Sequence, residues 1–452
     1  MNLDYDVVII GAGAAGIAAG IELQKGNINF TILEARNRVG GRAYTDRETF
    51  QSTPIDLGAS WIHSYGPNNV LYRYHRSLDV EKSHDNDVAC TRLCVDYDGK
   101  PFTTETSGRA RNIYYQIYDH LETLNYQINT NEDQSMEQAM QTTYERLITT
   151  NDSVKRLVDL HLSGEEQYDG SNLAEMSVKY WGVGCGSGGD RSVSIGYGSL
   201  LEKIANQHNL PIQLNTLVTK IDTTDAERIV LSIAENNSTI SCRRLIITIP
   251  LGCLKKETIL FEPPLPDWKR NAINQMGIGV MNKLVLRFPH NFWDRKIEGI
   301  LHASNQRRGR FRFTLCLPPP ANILILFVTG SFARELELLT DEQILEEALT
   351  FLRTIFPHKQ IPHPINYKFT RWLQDPLAYG SYSNFVVHAG PHTIEKLAKT
   401  TSNERVFWAG EHANVKDDSP YWSYGCVHSA FQSGQTAAKS IRESFLVSNC
   451  KV

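Results

Sequence analysis

One short run constrains this chain more than any other: Gly11-Ala12-Gly13-Ala14-Ala15-Gly16, placed directly after the apolar stretch Asp6–Ile10. The residues that follow put Ile17, Ile21 and Leu23 on the apolar positions of a helix, and a second apolar run, Phe30–Leu33, ends in Glu34. Strand, glycine turn, helix, strand and acid, in that order, form the dinucleotide-binding βαβ unit. Each glycine has its own reason. Gly11 permits the tight turn, Gly13 lets backbone amides approach a diphosphate, and Gly16 lets helix pack on strand. The helix N-terminus then faces the anion, and Glu34 stands about 20 residues on, where a carboxylate takes two ribose hydroxyls.

Composition narrows the class. At 452 residues the chain has room for two or three domains and a large core without staples. A formal net charge of −4 speaks against nucleic acid as the main partner, and it permits a cationic ligand. Eight cysteines are scattered; Cys90 and Cys94 form a C-x3-C pair, but no second pair or histidine cluster completes a zinc site, so no metal is expected. Residues 1–10 carry two aspartates and no basic residue, so no secretory signal is expected, and no apolar run reaches the roughly 18 residues of a membrane span. The sequons at Asn151, Asn236 and Asn237 carry no meaning without secretion. The expected location is the cytoplasm, with no membrane partner, and the oligomeric state is open between monomer and homodimer.

Further motifs follow in order. Glu34-Ala35-Arg36-Asn37-Arg38-Val39-Gly40-Gly41-Arg42 combines close-approach glycines with arginines whose forked donors suit a diphosphate. Asp56-Leu57-Gly58-Ala59-Ser60-Trp61-Ile62-His63 places three small residues in a row, able to touch a flat ring. Near the far end, the strand Arg405–Trp408 leads into Ala409-Gly410-Glu411-His412 and then a helix beginning near Gly425. This strand–Gly-Glu–loop–helix order resembles the C-terminal flavin motif of the FAD-dependent amine oxidases, and the resemblance implies that both chain ends build one cofactor domain while the middle leaves and returns. Ile212–Ile221 reads as one strand and Leu245–Pro250 as another. The insert 73–189 is largely helical over about 108–162 and ends in a flexible glycine-rich turn, Gly182–Gly189. The insert 256–394 holds strands at Met281–Phe288 and Asn322–Thr329 and a helix over Asp341–Phe356, capped by Thr340 or Asp341. In Met281–Phe288, Leu284, Leu286 and Phe288 point one way, Lys283, Val285 and Arg287 the other.

Taken together these motifs resemble the FAD-dependent amine oxidase superfamily over nearly the whole chain, and its polyamine oxidase branch, the fungal spermine oxidase type, most closely. The resemblance implies an α/β fold. A Rossmann-like FAD-binding domain is assembled from 1–72, 190–255 and 395–452. An α+β substrate-binding domain, a mixed sheet flanked by helices, comes from 73–189 and 256–394. It implies that Gly11, Gly13, Ala14, Ala15, Gly16, Glu34, Ala35, Arg36, Gly41, Arg42, Gly58, Ala59, Ser60, Trp61, Val218, Trp372, Gly410, Glu411, Cys426 and Val427 hold FAD. Val218 would meet adenine through its backbone, and Glu411 would bind the ribitol. Lys283 would bridge through water to the flavin N5, and Tyr382, in Gly380-Ser381-Tyr382-Ser383, would wall the ring. Monoamine oxidases carry a flavin-linked cysteine where this chain has Ser381, so FAD is expected to be noncovalent. Cys426, in Gly425-Cys426-Val427-His428, replaces the second wall tyrosine, as in fungal spermine oxidases.

The substrate implied is a small cationic amine, a polyamine such as spermine, spermidine or an N-acetyl derivative, with O2 as oxidant. Lys283, His63 and Tyr382 are the expected catalytic residues; His63, Glu166, Trp61 and Cys426 are expected to meet the substrate. A neutral imidazole at His63 can accept a hydrogen bond from an amine. Glu165 and Glu166 lie where the family often contributes an acid for an ammonium, although a solvated acidic loop is the plainer reading of the pair. Rival readings stay open: monoamine oxidase, disfavoured by Ser381; L-amino-acid oxidase, which needs an arginine such as Arg287 for the substrate carboxylate; and a non-catalytic flavin protein, against which Lys283 and Trp372 speak. Histone demethylase relatives carry long helical inserts that this chain lacks.

Overall fold

A computed structural model describes residues 3–50, 53–78, 92–127, 132–150, 152–184, 189–234, 238–317, 319–419 and 422–449. The chain is mixed α/β, with helices around two large sheets and several two-stranded ones. In the eight-stranded sheet, Tyr5–Ile10 lies between Phe30–Leu33 and Thr239–Ile247, parallel to both. Val7–Ile10 are all buried, as expected of a parallel strand covered on both faces. Thr239–Ile247 is long enough to serve two neighbours on its far side. Its first half pairs antiparallel with Ile229–Ile233 and its last residues pair parallel with Val406–Trp408. The far end of the chain is thereby fixed beside the near end. The first helix, Ala14–Gln24, packs on the last, Val427–Asn449; a Cβ on Gly434 would sit 2.0 Å from the carbonyl oxygen of Ala15, so the two backbones touch there.

Residues 212–221 are not one strand. Ile212–Gln213 pairs with Phe30–Leu33, while Val218–Asp222 pairs with Ile229–Ile233 at the opposite side of the sheet. Asn215 breaks the run by adopting a left-handed conformation (φ 53°), which asparagine tolerates better than most residues. The link is tied across the end of Phe30–Leu33, where the Thr216 N–H donates to the Glu34 carbonyl. The sheet also takes in Leu260–Glu262, beyond the bound at 255.

The six-stranded sheet runs Asn366–Phe369, Met281–Arg287, Ile323–Thr329, Phe313–Leu317, Gly299–His302, Arg92–Val95. The alternation in Met281–Arg287 works as read. Leu284 and Leu286 join a core with the helix Asp341–Ile355, and Val285 joins another with Phe50 and Leu57. Lys283 shares the Val285 side, which turns it toward the segment carrying Leu57. Thr340 caps Asp341–Ile355 in a reciprocal box with Gln343. The stretch 108–162 is three helices, Thr104–Gln127, Met136–Leu147 and Ser153–Asp169, the last stopped by Gly170 at φ 63°. Cys90, Asn151, Asn236, Asn237 and part of Gly182–Gly189 lie outside the described residues. No described helix is long and apolar enough to cross a membrane, and the described residues hold no group of three or more potential metal ligands.

Candidate active site

A cavity of about 460 Å³ runs from the Gly11–Gly16 turn to the Ser153–Asp169 helix, with Lys283 and Phe327 of the second sheet in its wall. At the turn, Gly11 has φ 102°, and a Cβ there would meet the Thr248 hydroxyl at 2.6 Å. A Cβ on Gly16 would fall 1.8 Å from the Gly11 carbonyl oxygen. Gly16 thus closes the turn without lining the cavity, whereas Gly13, Ala14 and Ala15 do line it, and nothing lies within 4 Å of a Cβ on Gly13. The helix begins there with no side-chain cap and no acid in its first turn, which leaves its positive end for an anion. Glu34, buried, accepts from the Ala12 and Arg36 N–H groups at 2.8 Å each. Ala35, Gly41 and Val218 complete this end.

The arginines are less free than their motif suggests. Arg36 donates to both oxygens of Asp375 at 2.9 Å, and Arg42 donates to Glu411 (2.9 Å) and to the Ser381 carbonyl (3.0 Å). Their charge is shared with carboxylates, so the helix N-terminus is the principal anion site. Arg42 also anchors Glu411 in the interior, where it and the Ser383 hydroxyl help keep the carboxyl below its usual range despite burial. The last helix starts at Val427, beside Gly410, Glu411 and Cys426 in the same wall.

Farther along, Gly58 is pressed between Arg42 and Trp372; a Cβ would lie 1.7 Å from the Arg42 carbonyl oxygen and 3.3 Å from the indole. The Trp372 indole N–H donates to the Leu57 carbonyl at 3.3 Å. Lys283, 4% exposed, donates to the Asp56 and Gly58 carbonyls at 2.7 Å each and to the Ser60 hydroxyl. An ammonium has three donors, and all three are spent on this one segment. Burial pulls the Lys283 ammonium down to about 8, against the opposing pull of Asp56, whose own carboxyl burial pushes up to about 6. The Trp61 and Phe327 rings flank the ammonium at 5.9 and 5.5 Å. Tyr382 walls the cavity, its hydroxyl donating to the Gln167 and Tyr168 carbonyls at the end of Ser153–Asp169. The Ser381 hydroxyl is engaged by the Met281 backbone, accepting from its N–H at 2.8 Å and donating to its carbonyl at 3.0 Å. His63 and Ala59 also line the cavity, and His63 Nδ1 lies 2.9 Å from an Asp190 carboxylate oxygen.

Besides Gly16, the expected substrate residue Glu166 and the rival reading's Arg287 stand outside the cavity wall. Glu166 is not in the cavity wall: it is buried on the other side of its helix, ion-paired with Arg308 at 3.2 Å and accepting from the Leu173 N–H. Arg287 is also absent from the wall and donates to the Phe50 carbonyl. Among the wall residues that went unread in the sequence are Asp169, Arg312 and Gly164. Helical phase was the one signal that could have found Asp169, which follows Glu165 by four residues.

The family described as flavin containing amine oxidoreductase matches this chain over residues 14–442. The chain belongs to that family. Polyamine oxidase 4 of Oryza sativa subsp. japonica is 31% identical to it, over 98% of this chain and 89% of its own. Probable polyamine oxidase 4 of Arabidopsis thaliana is 29% identical, over 97% and 87%. Lysine-specific histone demethylase 2 of Homo sapiens is 28% identical over 90% of this chain, which spans only 50% of that protein. This chain is an amine oxidoreductase with FAD as cofactor, an amine as substrate and O2 as oxidant. The site fits FAD: open space above Gly13, a buried carboxylate held beside the turn, and a helix N-terminus without a cap.

Proposed function

We propose that this protein is a cytoplasmic polyamine oxidase, converting spermine, spermidine or an N-acetyl derivative to an aldehyde and a shorter amine, with release of hydrogen peroxide. The observation that carries the reading is Lys283: one buried ammonium, with every donor fixed, in the wall of a cavity that also reaches the dinucleotide turn. Two relatives named as polyamine oxidases match nearly end to end, which favours this substrate over a histone tail. On this reading residues 1–72, 190–255 and 395–452, extended to Glu262 by the sheet, hold the cofactor, and 73–189 with the rest of 256–394 shape the amine site.

Bound FAD supplies the two-electron acceptor for the amine's α C–H bond and returns those electrons to O2. The chain's own groups do the rest. The Ala14–Gln24 N-terminus, Glu34 and Glu411 orient the cofactor through its diphosphate and hydroxyls. Ser381, its hydroxyl committed to Met281, offers no linkage to the ring, so the cofactor is held without a covalent bond. Lys283 keeps a positive charge in a dry wall, where charge that develops on oxygen reduction is stabilised. His63, oriented by Asp190, accepts the proton an amine must lose before oxidation. Trp61, Tyr382 and Cys426 bound the space and exclude water.

The test is a peroxide assay of the purified yellow protein against polyamines, monoamines and L-amino acids, with the products identified. Peroxide from amino acids or monoamines alone would overturn the reading. His63→Ala should retain FAD and raise KM or lower kcat for spermine; unchanged kinetics would remove His63 from the scheme.

A further inference from the structure

The helix Gly330–Glu337 ends in a buried carboxylate. Glu337 is 4% exposed and stands outside the cavity wall. A carboxylate in the interior is costly unless charge or hydrogen bonds compensate it. Glu337 has no ion-pair partner among the described residues, and Arg371, in the segment beside it, pairs with Asp341 instead. Compensation comes from three N–H donors. The Asn282 side-chain amide donates at 2.7 Å, and the Leu373 and Gln374 backbone amides donate at 3.0 and 2.9 Å. Leu373 and Gln374 follow Trp372, and Asn282 precedes Lys283, so one carboxylate holds the chain next to two residues of the cavity wall.

Asn282, 2% exposed, carries the connection onward. With its amide nitrogen turned to Glu337, its oxygen faces the other way. There it accepts from the Trp372 N–H at 3.1 Å and from the Thr370 hydroxyl at 2.9 Å. The Thr370 hydroxyl oxygen accepts in turn from the Lys283 N–H at 2.8 Å, and the Thr370 N–H donates to the Lys283 carbonyl at 3.1 Å. A charged acceptor at the head of such a chain makes the stronger kind of hydrogen bond and polarises the bonds behind it. Strand Met281–Arg287 and the Trp372 segment are thereby locked in one register. The two meet again at Gly58, which the indole packs against and whose carbonyl takes the Lys283 ammonium.

We propose that Glu337 is a positioning residue for the oxidation: through Asn282 it sets where Lys283 and the Trp372 indole stand against the flavin. The proposal rests on the reading of Lys283 as the charge that assists oxygen reduction, whereas the link to Trp372 stands apart from it. Both carboxylate oxygens are needed. Glutamine in this place has one acceptor and one donor atom, so at least one of the three N–H groups would face another N–H.

The test uses the FAD-loaded full chain. Glu337→Gln should slow flavin reoxidation by about 10- to 100-fold, the scale of a misplacement of up to 1 Å, and lower kcat with KM for spermine little changed. The visible absorbance bands of the bound flavin should shift, because the indole beside the ring moves. A double-mutant cycle in stopped flow separates positioning from general loosening. Glu337→Gln should cost little further reoxidation rate once Lys283→Met is present. Asn282→Ala leaves the carboxylate its two backbone donors, so it serves if Glu337→Gln does not fold; it should give the same spectral shift and the same dependence on Lys283. Wild-type rate and spectrum in folded Glu337→Gln, or equal slowing in both backgrounds with an unaltered spectrum, would overturn the assignment. Wild-type half-reactions in Lys283→Met, with a shifted spectrum in Glu337→Gln, would overturn the reading of Lys283 and leave the positioning of Trp372 standing.

Discussion

Two glycines three residues apart should fail in opposite ways when given a methyl group. In Gly16→Ala the new carbon would lie 1.8 Å from the Gly11 carbonyl oxygen, which is itself restrained by the Gly11 N–H bond to Leu33 at 2.7 Å. Relief needs a shift of roughly 1.4 Å in a packed turn, beyond the usual 1–3 kcal/mol of overpacking, so we expect a loss of at least ~3 kcal/mol. With ~2.1 cal/mol/K per residue of unfolding entropy, a chain of this length has ~0.95 kcal/mol/K, and Tm falls by about 3 °C even without FAD. In Gly13→Ala the methyl meets nothing within 4 Å, and φ −76° with ψ −173° suits alanine. The apoprotein should lose less than ~1 kcal/mol, the cost of a poorer helix cap, and about 1 °C. Its FAD affinity should fall at least tenfold, because the methyl stands where the diphosphate must approach. Thermal scans of both apoproteins and FAD titration by flavin fluorescence read the two effects separately. An unchanged Tm for Gly16→Ala, or full FAD affinity for Gly13→Ala, would refute the geometry.

Lys283 carries its proton below about pH 8 and loses it above, so flavin reoxidation in stopped flow should slow as pH rises through 8. Asp56→Asn should move that limb to lower pH, since Asp56 holds the ammonium's pKa up, and an unmoved limb would disconnect the two. Lys283→Met should slow flavin reduction or reoxidation strongly at all pH values; wild-type rates in both half-reactions would remove its role. Arg42→Met strands Glu411 in the interior and should cost about 3 kcal/mol by denaturant unfolding, with much of it restored in the pair with Glu411→Gln; additive losses would mean that the ion pair is not the cause. Acid precipitation should leave the FAD in the supernatant, and yellow pellets would show a covalent bond that Ser381 does not explain.

The turn at Gly11–Gly16 was legible because its geometry is local: positive φ and close approach are properties of glycine itself. The side of the strand that carries Lys283 was legible because a strand alternates strictly, but its burial was not, since periodicity alone reads a lysine there as facing solvent. The facing of the acids on Ser153–Asp169 was not legible either. Successive helical residues differ by about 100° around the axis, so Glu165 and Asp169 share a face while Glu166 points away, and only packing against Arg308 sets that phase. The break at Asn215 was equally hidden, since asparagine forms a left-handed corner without the glycine or proline that usually announces one. Nor could the run 256–262 reveal that it joins the first sheet, because Leu260–Glu262 is short and gains its partner, Val218–Asp222, from elsewhere in the chain.

The contact of Gly434 with Ala15 has a bearing on biosynthesis. Ten of the eleven residues of Ala14–Gln24 are buried in the finished protein, yet the helix that covers them is made some four hundred residues later. At about 5–20 residues per second, the ribosome leaves the nascent N-terminal unit uncovered for roughly 20–80 s. The cofactor site shares that delay, since Gly410, Glu411, Cys426 and Val427 line its cavity and are made some four hundred residues after Gly13.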